Sequence, residues 1–317
     1  MEISVIIPVY NKETFIAQCL ERTLSQDFHS FEVVAVDDGS TDASGQICDD
    51  VAARNPKLRV IHTPNGGVTA ARRTGLEQAQ GQYVMFLDAD DALLPEALSM
   101  SYELITTQEA DEVIALYQNQ NGDVFDSGCR GYVDSRDIIK NFLATRNSFQ
   151  PLWGILFKKE LLSGCLSFTR EIIIGEDILT HIRALVKQPR VYCASHCSYL
   201  YVQGLPNTRK KTLQHEMTYD QVLYESLQPL WPALKPWYQL HQLKVYETFL
   251  DEKQFHVFKD YYCKLRGTLD GHIPLADRIA FALPPRIGYW PVHYYKKYLR
   301  RKSKQIFTYS SAEPEAQ

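Results

Sequence analysis

Three βα units in succession, each strand ending in polar or acidic residues, constrain this chain more than any other feature. "ISVIIPV" (3–9) is a continuous apolar, β-branched run, and "KETFIAQCLERTLSQ" (12–26) then sets Phe15, Ile16, Cys19, Leu20, Thr23 and Leu24 at helical spacing. "FEVVAVDDGS" (31–40), a helical stretch over 43–54, "KLRVIH" (57–62), "VTAARRTGLEQAQ" (68–80) and "QYVMFLD" (82–88) continue the alternation. Buried apolar strands separated by helices predict an α/β domain with a mostly parallel central sheet, whose ligands sit beyond the carboxyl ends of the strands. Those ends carry Tyr10 and Asn11, then Asp37 and Asp38, then Asp88, Asp90 and Asp91.

After residue 100 the pattern loosens. Residues 112–133 read as strand and hairpin with turns at Asn121-Gly122 and Gly128. "PLWGILFKKELL" (151–162) reads as a buried aromatic followed by a short helix, "IIIGEDILTHIRALV" (172–186) as an apolar run, two acids and a helix, and 190–204 as one or two strands. From about 211 the chain reads as helical, and "SSAEPEAQ" as a polar, disordered tail. The expected division is a domain over 1–210 and a helical region over 211–317.

"DADD" (88–91) crowds three acids at a strand end, which is costly unless a cation relieves it. Hard oxygen ligands at this spacing suit a divalent cation whose remaining ligands are waters and phosphate oxygens. The structural alternative makes Asp90 or Asp91 a helix cap. An EF-hand is excluded, because Leu93 and Ser99 stand where its glycine and glutamate belong. Asp38 and Tyr10 can frame a nucleobase, whereas Gly39 to Asp42 read as a turn and helix cap. Arg72, one turn into a helix, suits a nucleotide or phosphate, or a solvated face. In "GEDILTH" (175–181) the acids either cap the helix or supply a general base, Asp177, and His181 reads as packing. "CASHC" has no second cluster to complete a zinc site, and Walker, dinucleotide-binding and nucleophile-elbow motifs are missing.

In order, "SVIIPVYNKETFIAQCLERTLSQDFHSFEVVAVDDGSTDAS", "NGGVTAARRTGLEQAQGQYVMFLDADD" and "IIGEDILT" resemble the inverting family-2 glycosyltransferases of the GT-A fold, as found in bacterial surface-polysaccharide assembly. The resemblance is dense over 3–100, thinner to about 205 and absent beyond. It implies that Pro8, Tyr10, Asn11, Asp38 and Arg72 surround the nucleotide, that Asp90 is the main ligand of a Mn2+ or Mg2+ ion, and that Asp88 contacts ribose, metal or a metal-bound water. It makes Asp177 the catalytic base and Glu176 its neighbour, and places Trp153 on the acceptor side. The "YLYVQGLPNTRK" stretch, with Tyr201 and Arg209, is similar to the segment that closes over the diphosphate. This chain departs from the family in having Pro206-Asn207-Thr208 where a serine is usual, and Arg73 where asparagine is usual.

The implied activity is transfer of a sugar from a UDP-linked donor to an acceptor hydroxyl, with a lipid-linked oligosaccharide as acceptor. The alternatives are a soluble or protein acceptor, a metal-dependent phosphatase, whose Gly-Thr is absent after "DAD", or a non-catalytic nucleotide-sugar-binding module. The net charge of −4 gives no case for nucleic acid, and seven scattered cysteines suit a reducing compartment. "MEISVIIPVYNKE" lacks a signal-peptide pattern, so the expectation is a cytoplasmic protein. "PPRIGYWPVHYYKKYLRRKSKQIF" (284–307) interleaves seven basic residues with aromatics and has no acid, which suits docking on the cytoplasmic face of an anionic membrane. The oligomeric state is left open.

Overall fold

A computed structural model describes residues 1–144, 149, 151–202 and 212–251, together with 253, 278, 282–284, 286–290 and 294. The chain divides into two units, Met1–Phe142 with Arg146–Trp231, and Leu143–Thr145 with Pro232–Gln317.

The first unit opens with β1 (Ile3–Val9), α1 (Ile16–Leu24), β2 (Phe31–Asp37), α2 (Ser44–Ala52), β3 (Leu58–His62), α3 (Val68–Gln78) and β4 (Tyr83–Phe86). It continues through β5 (Ala92–Leu93), α4 (Ala97–Thr107), β6 (Glu112–Asn119), β7 (Val124–Phe125), β8 (Gly131–Val133) and α5 (Ser135–Leu143). Then come β9 (Ile155–Lys158), α6 (Glu176–Leu185), β10 (Val191–Tyr201) and α7 (Leu213–Leu227); α8 (Lys235–Asp251) belongs to the second unit.

The strands form one sheet in the order β3-β2-β1-β4-β9-β6-β10-β5. The half built by the βα repeat, β3-β2-β1-β4, is parallel throughout. β9 then lies antiparallel between β4 and β6, and β10 returns to run parallel to β6. The sheet is therefore mixed. β1 and β2 are buried along their whole length, as their unbroken apolar runs require. On one face Ile3, Val5, Ile7 and Val9 pack with Ile16 and Leu20 of α1 and with Leu98 and Ile105 of α4. On the other, Val34 and Val36 pack on Ala71 of α3.

This topology places the carboxyl ends of β1, β2 and β4 along one edge, and the sheet ends there in Tyr10, Asp38 and the 88–91 cluster. Among the described residues no helix is long and apolar enough to cross a membrane.

Candidate active site

Two loops form the near wall of the site, and short polar bonds tie them together. The Asn11 backbone, at φ 51°, donates its N–H to Ser40 Oγ, while Asn11 Oδ1 accepts the Thr41 N–H at 2.8 Å. Ser44 Oγ accepts the Lys12 N–H at 2.7 Å, and Asp42 accepts from both Ser44 and the Glu13 N–H. Gly39 is required here: at φ +70° any Cβ would sit 2.8 Å from the Asn65 nitrogen. Gly39 to Asp42 thus form the turn read from the sequence, but the N-cap of α2 is Ala43, without a side-chain cap, because Ser40 and Asp42 are engaged with the β1 loop. Asn11 joins them, its carboxamide turned to Thr41.

The two acids at the end of β2 separate cleanly. Asp37 accepts from the Ser40 N–H and lies 2.9 Å from His62 Nδ1, which together hold its carboxyl below the usual range against the cost of burial. Asp38, also buried, accepts the Gly66 and Gly67 N–H groups at 2.7 and 2.8 Å, one on each oxygen. Each carboxylate oxygen has a further lone pair, so Asp38 retains acceptor capacity towards a ligand.

A cavity of about 980 Å³ opens beyond these strand ends. It is lined by Pro8, Tyr10, Lys12, Asp38, Arg72, Arg73, Asp88, Asp90, Glu176 and Asp177, with residues 168–170 and 172–174 opposite. Residues remote in sequence therefore converge on one volume. Tyr10 is 46% exposed and available for packing at the cavity edge.

Arg72 and Asp88 anchor the floor. Arg72 Nη2 donates to Asp88 Oδ1 at 2.7 Å, and Arg72 is almost wholly buried. Burial works against its charge, but Asp88, then Glu176 and Asp177, more than offset this and raise its pKa. Its Nε–H has no hydrogen-bond partner, an orphaned buried donor. Asp90 is paired instead with the Lys12 ammonium, on side chains that remain 20% and 31% exposed. Asp91 does not cap α4, which begins only at Ala97. It turns inward and accepts the Tyr199 hydroxyl at 2.7 Å and the Val202 N–H at 2.8 Å. Burial is the larger influence on it and pushes its pKa up to about 7, with Asp88 and Asp90 adding to the rise.

The far wall is the start of α6. Gly175 precedes it at φ +85°, where a Cβ would meet the Tyr219 ring at 2.7 Å. Glu176 and Asp177 occupy the first turn, where the helix favours negative charge. Asp177 Oδ1 accepts the Ile178 N–H at 2.8 Å. Burial pushes the Asp177 carboxyl up, opposed by the Arg72 guanidinium.

Trp153 and Tyr201 do not line this cavity. They stack on each other at 5.4 Å beside the end of β4, where Trp153 bridges to Phe86. Arg209 lies outside the described residues. The sequence reading missed Lys12 and the 168–174 segment, whose Arg170 Nη2 donates to Asn65 Oδ1 at 2.6 Å. "SFTREIII" carries the signal, a cation ahead of an apolar triplet.

Among the described residues no group of three or more metal-ligating side chains converges. A cation that keeps waters and binds phosphate oxygens needs only one or two carboxylates. Asp88 and Asp90 offer these at the cavity wall. Asp90 is held there only by a half-exposed lysine that another cation can displace.

Comparison with known proteins places this arrangement. EpsJ of Bacillus subtilis, an uncharacterized glycosyltransferase, is 29% identical over 254 residues, 76% of this chain and 71% of EpsJ. The minor teichoic acid biosynthesis protein GgaA of the same organism is 24% identical over 304 residues, 84% of this chain and 66% of GgaA. The chain spans only 25% and 47% of two Streptococcus pneumoniae glycosyltransferases. Staphylococcus aureus TarS 1–349, in complex with UDP, superposes with a TM-score of 0.61 at 21% identity, covering 95% of this chain and 92% of TarS, and so shares the fold. Residues 4–163, about half the chain and the whole of the βα repeat with its strand-end acids, match the sequence model of glycosyl transferase family 2, and the chain belongs to that family.

Proposed function

We propose that this transferase moves a sugar from a UDP-linked donor to an acceptor hydroxyl in cell-surface polysaccharide assembly, with inversion at the anomeric carbon. The convergence of the Arg72–Asp88 pair, Asp90 and the raised Asp177 carboxyl on one cavity supports this reading most strongly. TarS in complex with UDP and with UDP-GlcNAc, and the teichoic acid role in the name of GgaA, add to it.

In this mechanism Tyr10 and Pro8 pack the nucleoside and Asp38 accepts from its base. Arg72, whose Nε–H lacks a partner, faces the diphosphate. Asp90, with Asp88, would hold a Mn2+ or Mg2+ ion, which when bound offsets the charge of the departing diphosphate. Asp177 takes the proton of the acceptor hydroxyl. The hydroxyl oxygen forms its bond to the anomeric carbon as the bond to the diphosphate breaks, and that electron pair leaves with UDP. A base whose pKa lies near working pH is effective at this step, and burial moves Asp177 in that direction. Glu176 beside it adds negative potential that keeps Arg72 charged.

Tyr201, exposed and backed by the buried Trp153 stacked beneath it, supplies an aromatic contact for a glycan acceptor, with a lipid-linked glycan as the form that suits a membrane-docked protein. Within 284–307 the described residues Ile287, Trp290 and Tyr294 are each more than half exposed. Together with the lysines and arginines that the sequence carries over 284–307, these exposed side chains suit an anionic membrane. Flotation with phosphatidylglycerol vesicles tests it: the full chain floats, and removal of 284–317 abolishes flotation.

The activity is tested by a screen of nucleotide sugars for donor hydrolysis, with Mn2+ and with chelator. Consumption of a UDP-sugar that chelator abolishes is the expected result. Turnover unaffected by chelator, or confined to donors without UDP, contradicts the reading.

A further inference from the structure

One buried polar pair plays no part in the chemistry above. His181 Nε2 lies 2.6 Å from Glu112 Oε1, and both side chains are fully buried. Phe142 and Phe157 flank the imidazole with ring centroids at 5.4 and 5.7 Å. His181 Nδ1 and Glu112 Oε2 have no other hydrogen-bond partner. The bond is therefore a single polar link set in apolar surroundings.

Its placement is what matters. His181 is four residues after Asp177 on α6, so the two side chains project from one face, a single turn apart. Glu112 is the first residue of β6, held in the sheet between Phe157 of β9 and Val191 of β10. Apolar packing holds the helix against the sheet without a directional bond. A short bond between fully buried partners fixes both rotational phase and height. Stability gives a weak reason for such a pair, because apolar side chains of similar volume in place of a buried ion pair are often neutral or stabilising.

We propose that Glu112 and His181 are a positioning pair that aims the Asp177 carboxylate into the cavity. The pair touches neither donor nor acceptor and acts only through α6. The proposal rests on the reading of Asp177 as the base. A misplacement of about 1 Å at a reacting group costs on the order of a hundredfold in rate, so a loosened helix shows first in turnover.

The test replaces the pair with apolar side chains, Glu112→Met with His181→Leu, in the full-length protein. Thermal midpoint, UDP affinity by calorimetry, and kcat on the UDP-sugar selected by the hydrolysis screen are measured together. The expected result is an unchanged or higher midpoint, unchanged UDP affinity, and a kcat lower by about tenfold or more. A folded double variant with wild-type kcat overturns the proposal. So does a fall in kcat matched by an equal loss of UDP affinity, since the pair would then support the whole cavity.

If the double variant does not fold, Glu112→Asp decides. It keeps the carboxyl group and the partner but shortens the link by one methylene, and kcat must fall while UDP affinity holds. Asp177→Asn separates the two readings. If it turns over fully, the base assignment fails whatever the pair does. If it is inactive while the pair variants are fully active, only the positioning role fails.

Discussion

Arg72 and Asp88, sixteen residues apart, meet at 2.7 Å on the cavity floor, with the guanidinium buried and the carboxylate part-exposed. The pair joins α3 to the strand end of β4 and presents a fixed positive charge beneath the site. Removing one member of a buried pair strands the other. Arg72→Met is expected to destabilise by about 3 kcal/mol and to weaken UDP binding by about tenfold or more. Thermal melts and UDP calorimetry on the same samples check both effects.

Lys12 and Asp90 make the opposite kind of pair, partly solvated and easily broken. Such a pair is worth about 1 kcal/mol or less. Lys12→Met removes the resident cation from Asp90. The nucleotide-free protein is then expected to bind Mn2+ up to about fivefold more tightly, as read by calorimetry or by the electron paramagnetic resonance signal of free Mn2+.

Gly175 sets the entry to α6 at a backbone conformation that side chains rarely adopt, and a Cβ there would press on the Tyr219 ring. Gly175→Ala is expected to cost about 1–2 kcal/mol from the backbone alone, with more from the clash. Because the strain falls two residues before Asp177, kcat should fall further than the change in thermal midpoint accounts for.

His196 gives a pH signature. Burial lowers its pKa from 6.5 to about 4, with Ser101 Oγ 3.2 Å from its Nε2. Between those values the unfolded chain takes up a proton that the folded chain refuses, so stability rises with pH there. The contribution is fully present above about pH 6.5 and falls by about 3 kcal/mol on acidification to pH 4. Urea denaturation at pH 7, 5 and 4 should show a steeper loss for the wild type than for His196→Gln. Equal slopes would contradict it.

The parallel half of the sheet was legible because each of its strands is a local apolar run bounded by a turn, and the helices between them carry their own spacing. β9 was not. "ILFK" is four residues long, runs into the helical turn at 159–162, and owes its place to pairing with both β4 and β6. The cavity-lining residues Asp38, Arg72, Asp88, Asp90 and Asp177 were legible as types at strand ends and in the first turns of helices. Their partners were not, because Lys12 reaches Asp90 across 78 positions and Tyr199 reaches Asp91 across 108. Asp91 shows the limit most clearly. Its neighbours in sequence suggest a cap, and only the return of β10 beside β5 supplies the hydroxyl and amide that draw it inward.

The central claim is that Asp177 removes the acceptor proton at a cavity that binds the donor independently. Asp177→Asn keeps the size of the side chain and an oxygen for the Ile178 N–H while removing its basicity. Kcat on the selected UDP-sugar, measured beside UDP affinity, is the most direct test. The account predicts a fall of roughly a thousandfold in kcat with UDP affinity unchanged, and full turnover by Asp177→Asn would contradict it.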